Sequence, residues 1–347
     1  MSIRKKVRVL IVDDSFLFRE TLVAELSKDF GIEVVGQAGD PYEAKDRILE
    51  YEPDVIALDV EMPKMDGISF LKKLMPQYPL PVVVVMSASE QNVFDALSAG
   101  AVDFIAKPKS RQLLEPFINE LIVKIKIAST AKVAYHKKNY APEERLSVSP
   151  GRKAVSSETI IAIGASTGGT EAIASIMNAL PREMPGILIV QHMPPVFTRL
   201  YAERLNRTAK LEVKEAEDGD PVRPGTVLIA PGEYHMKLTK TESGYSVSCK
   251  KGDKVSGHCP SVDVLFESVA EKAREKAVGI LLTGMGSDGA KGLLSMRNSG
   301  AFTIGQDERS CVVYGMPKVA CSIGAVTKQV SLEQIPQELC AYLTQKA

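Results

Sequence analysis

The chain has 347 residues, 45% apolar and 25% charged, which is enough ordinary globular sequence for two domains of about 150 residues each. Its 43 Lys and Arg balance 43 Asp and Glu, so the formal net charge is zero and a polyanion such as nucleic acid is excluded as the default partner. Five scattered cysteines (Cys249, Cys259, Cys311, Cys321, Cys340) with no Cys-x-x-Cys pair exclude a disulfide framework and a zinc site, and fit a reducing compartment.

The basic start, Met1 to Lys6, leads into only six apolar-rich residues, Val7 to Val12. That run is too short for a signal-peptide core or a membrane span. A soluble, cytoplasmic protein that is not membrane-inserted is expected.

Residues 7–107 alternate strand-like runs with helical patterns. The runs are Val7–Val12, Glu33–Gly36, Val55–Leu58, Val82–Met86 and Asp103–Ala106, and Phe18, Leu22 and Leu26 make an apolar helical stripe between the first two. Alternation of this kind imposes a parallel sheet with right-handed crossovers, a doubly wound α/β domain with its reactive groups at the carboxyl ends of the strands. A helix over 113–127 follows. The domain spans 1–125 and gives way to a polar linker over 126–157 that carries Pro142, Pro150 and Gly151.

Periodicity resumes in a second α/β domain, 158–347. Strand-like runs fall at Thr159–Ile163, Gly186–Val190, Leu211–Lys214, Thr226–Ala230, Tyr245–Cys249 and Val278–Leu282. Helical patterns fit Gly169–Leu180, Phe197–Arg207, Ser261–Lys276 and Ala290–Ser299. The sheet is expected to be mainly parallel, with a small hairpin-rich insertion around 219–250.

In the first domain Asp13 and Asp14 follow the first strand and Asp59 the third, so three carboxylates converge on one cleft. Their mutual repulsion calls for a cation, and hard oxygen donors at a shallow site favour Mg²⁺. Ser87, after the fourth strand, can donate to a phosphoryl oxygen. Lys107, after the fifth, brings a fixed positive charge, and a cis bond to Pro108 would aim it inward. The set points to Asp59 as a carboxylate nucleophile that accepts a phosphoryl group. The plainer alternative is that each aspartate caps a helix; three aspartates, a serine and a lysine all at strand ends argue for the site.

Residues 7–125 resemble a response-regulator receiver domain. The likeness rests on the Asp13-Asp14 pair, Leu58-Asp59-Val60-Glu61-Met62-Pro63 followed by Met65-Asp66-Gly67, and Lys107-Pro108. It implies a flavodoxin-like strand order 2-1-3-4-5 and phosphorylation of Asp59 by a partner histidine kinase. It also implies Mg²⁺ held by Asp14, Asp59 and the Glu61 carbonyl, with Asp13 assisting. Phe104, three residues before the lysine, would be the switch ring, without the hydroxyl that a tyrosine brings.

In the second domain Gly164-Ala165-Ser166-Thr167-Gly168-Gly169 joins a strand to a helix and satisfies Gly-x-Ser-x-Gly, the nucleophile elbow. A helix N-terminus beside the hydroxyl favours developing negative charge. Taken alone, the segment suits a glycine-rich phosphate cradle equally well. Gln191-His192-Met193-Pro194 follows the next strand, so His192 can act as general base towards Ser166. Thr283-Gly284-Met285-Gly286-Ser287-Asp288-Gly289 follows a later strand, and Asp288 can orient the imidazole. Its plainer role is to cap the helix that begins near Gly289. The order Ser…His…Asp differs from that of the α/β-hydrolases. His136, His235 and His258 carry no chemistry in this reading, and no cofactor is expected in this domain.

These motifs, with Pro260-Ser261-Val262-Asp263 and Tyr314-Gly315-Met316-Pro317, resemble the bacterial chemotaxis protein-glutamate methylesterases over the full length. The resemblance implies Ser166 as nucleophile, His192 as base and Asp288 as orienter, with the Met285 backbone and Thr167 near the oxyanion. It implies γ-glutamyl methyl esters on membrane chemoreceptors as substrates, methanol as product, and deamidation of receptor glutamines in some members. In the expected mechanism the unphosphorylated receiver covers the Ser166 cleft and phosphorylation shifts that equilibrium. The rival is a response regulator whose second domain only binds nucleotide or DNA. It lacks a basic recognition helix, a P-loop lysine and dinucleotide-fingerprint spacing.

Overall fold

A computed structural model describes residues 5–87, 92–133, 158–242 and 244–346. The chain divides near residue 140 into two compact units. Most of the expected linker, and His136 within it, lies outside the described residues.

The first unit runs β1 (Val7–Val12), α1 (Phe16–Leu26), β2 (Ile32–Ala38), α2 (Pro41–Tyr51), β3 (Val55–Asp59), α3 (Gly67–Leu74), β4 (Val82–Met86), α4 (Val93–Ser98), β5 (Asp103–Ala106) and α5 (Leu114–Ala128). Its five strands are parallel in the order β2-β1-β3-β4-β5. β3 and β4 are buried along their whole length, as strands covered by helices on both faces must be. The anticipated stripe on α1 buries Leu22 and Leu26. Local sequence fixes the helix starts: the Ser15 side chain caps α1, Asp40 caps α2 ahead of Pro41, and Asp66 caps α3. The Lys107–Pro108 bond is trans; among the described residues the cis peptide is Cys259–Pro260.

The second unit runs β6 (Ile160–Ala165), α6 (Gly169–Ala179), β7 (Gly186–Gln191), α7 (Phe197–Thr208), β8 (Glu212–Glu215), β9 (Thr226–Ile229), β10 (Tyr234–Thr241), β11 (Gly244–Lys251), α8 (Val262–Lys272), β12 (Ala277–Leu281), α9 (Ala290–Asn298), β13 (Phe302–Gln306), α10 (Met316–Ser322), β14 (Lys328–Val330) and α11 (Ile335–Lys346). Seven strands form one parallel sheet in the order β14-β13-β12-β6-β7-β9-β8. From β6 the chain builds outwards through β7, then returns to place β12 on the other flank of β6. That reversal opens a crevice at the carboxyl ends of β12, β6 and β7.

The hairpin is narrower than its sequence suggests. β9 belongs to the main sheet, and the antiparallel pair β10–β11 covers Tyr234–Lys251. Met236 and Leu238 on one strand and Tyr245, Val247 and Cys249 on the other alternate inwards, joining a core that includes Phe266 and Val269 of α8. β13, β14, α10 and α11 have no counterpart in the sequence reading. β13 is brief and carries Thr303, Gly305 and Gln306, so its apolar signal is weak, although the sheet buries it. No helix among the described residues is long and apolar enough to cross a membrane.

Candidate active site

Strand register brings the serine and histidine segments together. β6 and β7 pair up to Ala165 opposite Gln191, so Ser166 and His192 are the next residues of adjacent parallel strands. The His192 N–H donates to the Ala165 carbonyl at 3.1 Å, and the Ser166 N–H donates to the Thr283 carbonyl at 3.0 Å. The segment after β12 is thereby joined to the serine turn from the other side. Thr283 Oγ1 donates to the Thr167 carbonyl at 3.0 Å.

Two glycines make this crowding possible. A Cβ on Gly284 would lie 2.3 Å from Met316 Sδ and 2.7 Å from the Ser166 Cβ. Gly168 has φ +78°, the left-handed turn that starts α6, and a Cβ there would lie 2.6 Å from that of Val312.

Asp288 is buried and accepts four hydrogen bonds. His192 Nε2 lies 2.7 Å from Oδ2, which also takes the Val262 N–H at 2.8 Å. Ser261 Oγ and the Asp263 N–H donate to Oδ1 at 2.8 and 2.9 Å. Burial pushes the carboxyl up, but the His192 contact and the backbone N–H groups of Asp263 and Val262 outweigh it, and Asp288 ends below its ordinary value. The capping role weighed for Asp288 therefore holds for a different helix. It satisfies the first N–H groups of α8, while Gly289 starts α9 without a side-chain cap.

With Nε2 donating to an ionised carboxylate, the proton of a neutral His192 sits on Nε2 and Nδ1 carries the lone pair. Nδ1 is buried and has no partner among the described residues, so the anticipated Ser166–His192 hydrogen bond is not made. Such contacts are often loose before substrate binds. The Met285 N–H, one residue from the Gly284–Ser166 contact, has no backbone acceptor among the described residues. Thr167, next to Ser166 in sequence, is buried, and its carbonyl accepts Thr283 Oγ1.

Several residues of this site were given no role in the sequence reading. Ser261 both caps α8 and donates to Asp288. Asp263 accepts the Gly292 N–H of α9 at 2.8 Å and Ser256 Oγ at 3.2 Å, and burial, with the Asp288 charge adding to it, holds its carboxyl above the ordinary value. His235 donates from Nε2 to the Asp253 carbonyl and accepts the Ser261 N–H at Nδ1. Gln191 Nε2 donates to the Ser166 carbonyl at 2.9 Å. His258, read as bland, stacks on the His192 ring. The one sequence signal for these was a serine before an apolar run at Ser261, an N-cap signature.

The first unit gathers its own set. Asp13, Asp14 and Asp59 each offer an oxygen within 4.8 Å of the others, and Asp14 is exposed. Lys107 Nζ reaches Asp13 Oδ2 at 2.8 Å and Asp59 Oδ2 at 2.6 Å. Burial raises Asp59 to about 6; Lys107 pulls it down, and the Asp13 charge pushes it up. Ser87 Oγ donates to Glu61 Oε2 at 2.8 Å, and the Glu61 N–H donates to Asp59 Oδ1. Phe104 is buried, with Lys124 over its ring at 5.8 Å. An all-oxygen set of clustered carboxylates, one edge of it open to water, fits Mg²⁺.

Residues 161–339 match the family model described as CheB methylesterase, and residues 9–119 match the response regulator receiver domain. The chain belongs to the CheB methylesterase family. Its family relatives include a Syntrophomonas wolfei protein named protein-glutamate methylesterase/protein-glutamine glutaminase 2, 56% identical over 98% of this chain and 99% of the relative. A Syntrophotalea carbinolica protein named protein-glutamate methylesterase/protein-glutamine glutaminase is 51% identical over 99% of both. The solved Thermotoga maritima CheB methylesterase catalytic domain is 39% identical, with a TM-score of 0.52, and the match covers 53% of this chain and 98% of that one. A binding-only output domain finds no support in this family.

Proposed function

We propose that the chain hydrolyses methyl esters of protein glutamate side chains, with Ser166 as nucleophile, His192 as base and Asp288 as orienter, under control of phosphorylation at Asp59. The observation that carries this reading is the His192–Asp288 pair beside the Ser166 turn, with Nδ1 left buried and unpartnered. Nδ1 takes the Ser166 proton as Oγ bonds to the ester carbonyl carbon. The Met285 N–H and Thr167 stabilise the oxyanion. The carbon–methoxy bond then breaks, and methoxide leaves as methanol with the proton from Nδ1. Water attacks the acyl-serine, gives its proton to Nδ1, and Ser166 regains it as glutamate is released. Glutamine side chains enter the same cycle with ammonia leaving, as the names of the relatives suggest.

At the receiver, Asp59 accepts the phosphoryl group from a histidine kinase. Lys107 and Ser87 contact its oxygens, and Phe104 is the switch ring. Asp14, Asp59 and the Glu61 carbonyl, with Asp13 assisting, would hold a Mg²⁺ ion, which when bound offsets the phosphoryl charge. The substrates are methylated chemoreceptors, met from the cytoplasm. Methanol release from methylated receptor by wild type, Ser166→Ala and Asp59→Asn tests the scheme. Ser166→Ala should abolish turnover, and Asp59→Asn only its stimulation by phosphodonor. Full turnover by Ser166→Ala refutes the nucleophile, and undiminished stimulation of Asp59→Asn refutes the phosphorylation site.

A further inference from the structure

The His192 ring is gripped on two sides. Asp288 holds its Nε2 edge, and the ring of His258 lies flat on its face, with centroids 3.7 Å apart and planes inclined by 11°. A single hydrogen bond at one edge lets an imidazole swing about the donor–acceptor line, and the ring torsion of histidine is intrinsically broad. A face contact removes that freedom and leaves Nδ1 aimed one way.

His258 is itself held. It closes a tight turn in which Val255 and His258 exchange both backbone hydrogen bonds at 3.0 Å, with Ser256 and Gly257 at φ +52° and +85°. The turn is tied down by Ser256 Oγ to Asp263, by His235 Nε2 to the Asp253 carbonyl, and by the Glu233 N–H to the Cys259 carbonyl. Asp263 and His235 are the neighbours of Asp288 and Ser261 in the same hydrogen-bonded network. The turn and the triad aspartate therefore share one support.

We propose that His258 is a positioning residue whose ring, by stacking, fixes the plane of the catalytic imidazole. This rests on the esterase reading above. What acts is a flat aromatic face: it restrains His192 when neutral, and its π-surface tolerates the charge His192 gains during turnover. A ring without nitrogens does the same work.

The test compares full-length wild type, His258→Ala and His258→Phe, by kcat and KM for methanol release from methylated receptor and by the rate at which a fluorophosphonate labels Ser166. His258→Ala should lower kcat and the labelling rate about tenfold, as expected for losing an aromatic pair, with KM within about twofold. His258→Phe should restore both rates to within about threefold of wild type, and His258→Ala, its melting temperature lower by no more than about 6 °C, should stay folded at the assay temperature. Wild-type rates in His258→Ala, a loss confined to KM, a loss explained by unfolding at the assay temperature, or a phenylalanine no better than alanine would each overturn the proposal. Should wild type release no methanol, the esterase reading fails, while the labelling rates still judge the stack.

Discussion

Replacing Asp288 by asparagine probes the site most sharply, because the carboxylate accepts four hydrogen bonds and an amide cannot. With the amide nitrogen at the Oδ2 position, it faces both His192 Nε2 and the Val262 N–H. The imidazole must then move its proton to Nδ1, which disables the base. With the nitrogen at the Oδ1 position, Ser261 can turn to accept, but the Asp263 N–H is left facing a donor. Either way one buried N–H at the start of α8 loses its partner, a cost of about 1–3 kcal/mol. For a domain of this size that is a melting temperature lower by roughly 2–12 °C. The same exchange in a serine-protease triad lowers kcat about 10⁴-fold. Because one of the two amide orientations preserves the tautomer, the expected loss here is about 10²- to 10⁴-fold in kcat with little change in KM. Asp288 sits below its ordinary 3.8, so the stability it adds is present above that pH and is lost as pH falls through its lower folded value. The stability gap between the proteins should be widest at neutral pH and close in acid. Esterase kinetics and calorimetry from pH 3 to 8 measure all of this. An Asp288→Asn protein with kcat within threefold of wild type, or with an unchanged melting temperature at pH 7, would refute the reasoning.

Asp263→Asn should behave oppositely. Its amide can accept the Gly292 N–H and donate to Ser256 Oγ, and it removes a charge that Asp288 opposes, so the variant should match or exceed wild type in melting temperature and keep its activity. A destabilisation above about 1 kcal/mol by urea unfolding contradicts this. Asp59, raised to about 6 from 3.8, contributes stability that is complete below about pH 4 and is lost as pH rises past 6, up to about 3 kcal/mol. Asp59→Asn should therefore be the more stable protein at pH 7.5 and not at pH 4, and millimolar Mg²⁺ should narrow the difference. Identical pH profiles for the two proteins would show that burial of this charge is not costly.

The first sheet and most of the second, with the strand ends that carry Asp13, Asp59, Ser166 and His192, were legible because buried parallel strands are near-continuous apolar runs with function at their carboxyl ends. The placing of His192 and Asp288 beside the Ser166 turn could be worked out on paper for the same reason. Their support could not. Ser261, Asp263, His235 and His258 belong to a helix start, a hairpin strand and a tight turn, where single polar residues leave no periodic trace. The polarity of His192 was hidden as well: which ring nitrogen meets Asp288 depends on a side-chain direction that no spacing encodes. β13 was lost because its polar residues obscure a short run that neighbouring strands bury.

β12 lies beside β6 in the middle of the second sheet, although most of that unit precedes it in the chain. His192 and Asp288 are 96 residues apart. During synthesis, β6, β7, β9 and β8 can associate while β6 still lacks its other neighbour, and an edge so exposed must wait for distant sequence to fill it. Until residue 288 has emerged from the ribosome, the Nε2 edge of the imidazole has no carboxylate to meet. Hydrolytic competence thus arrives late, with the strand that completes the middle of the sheet.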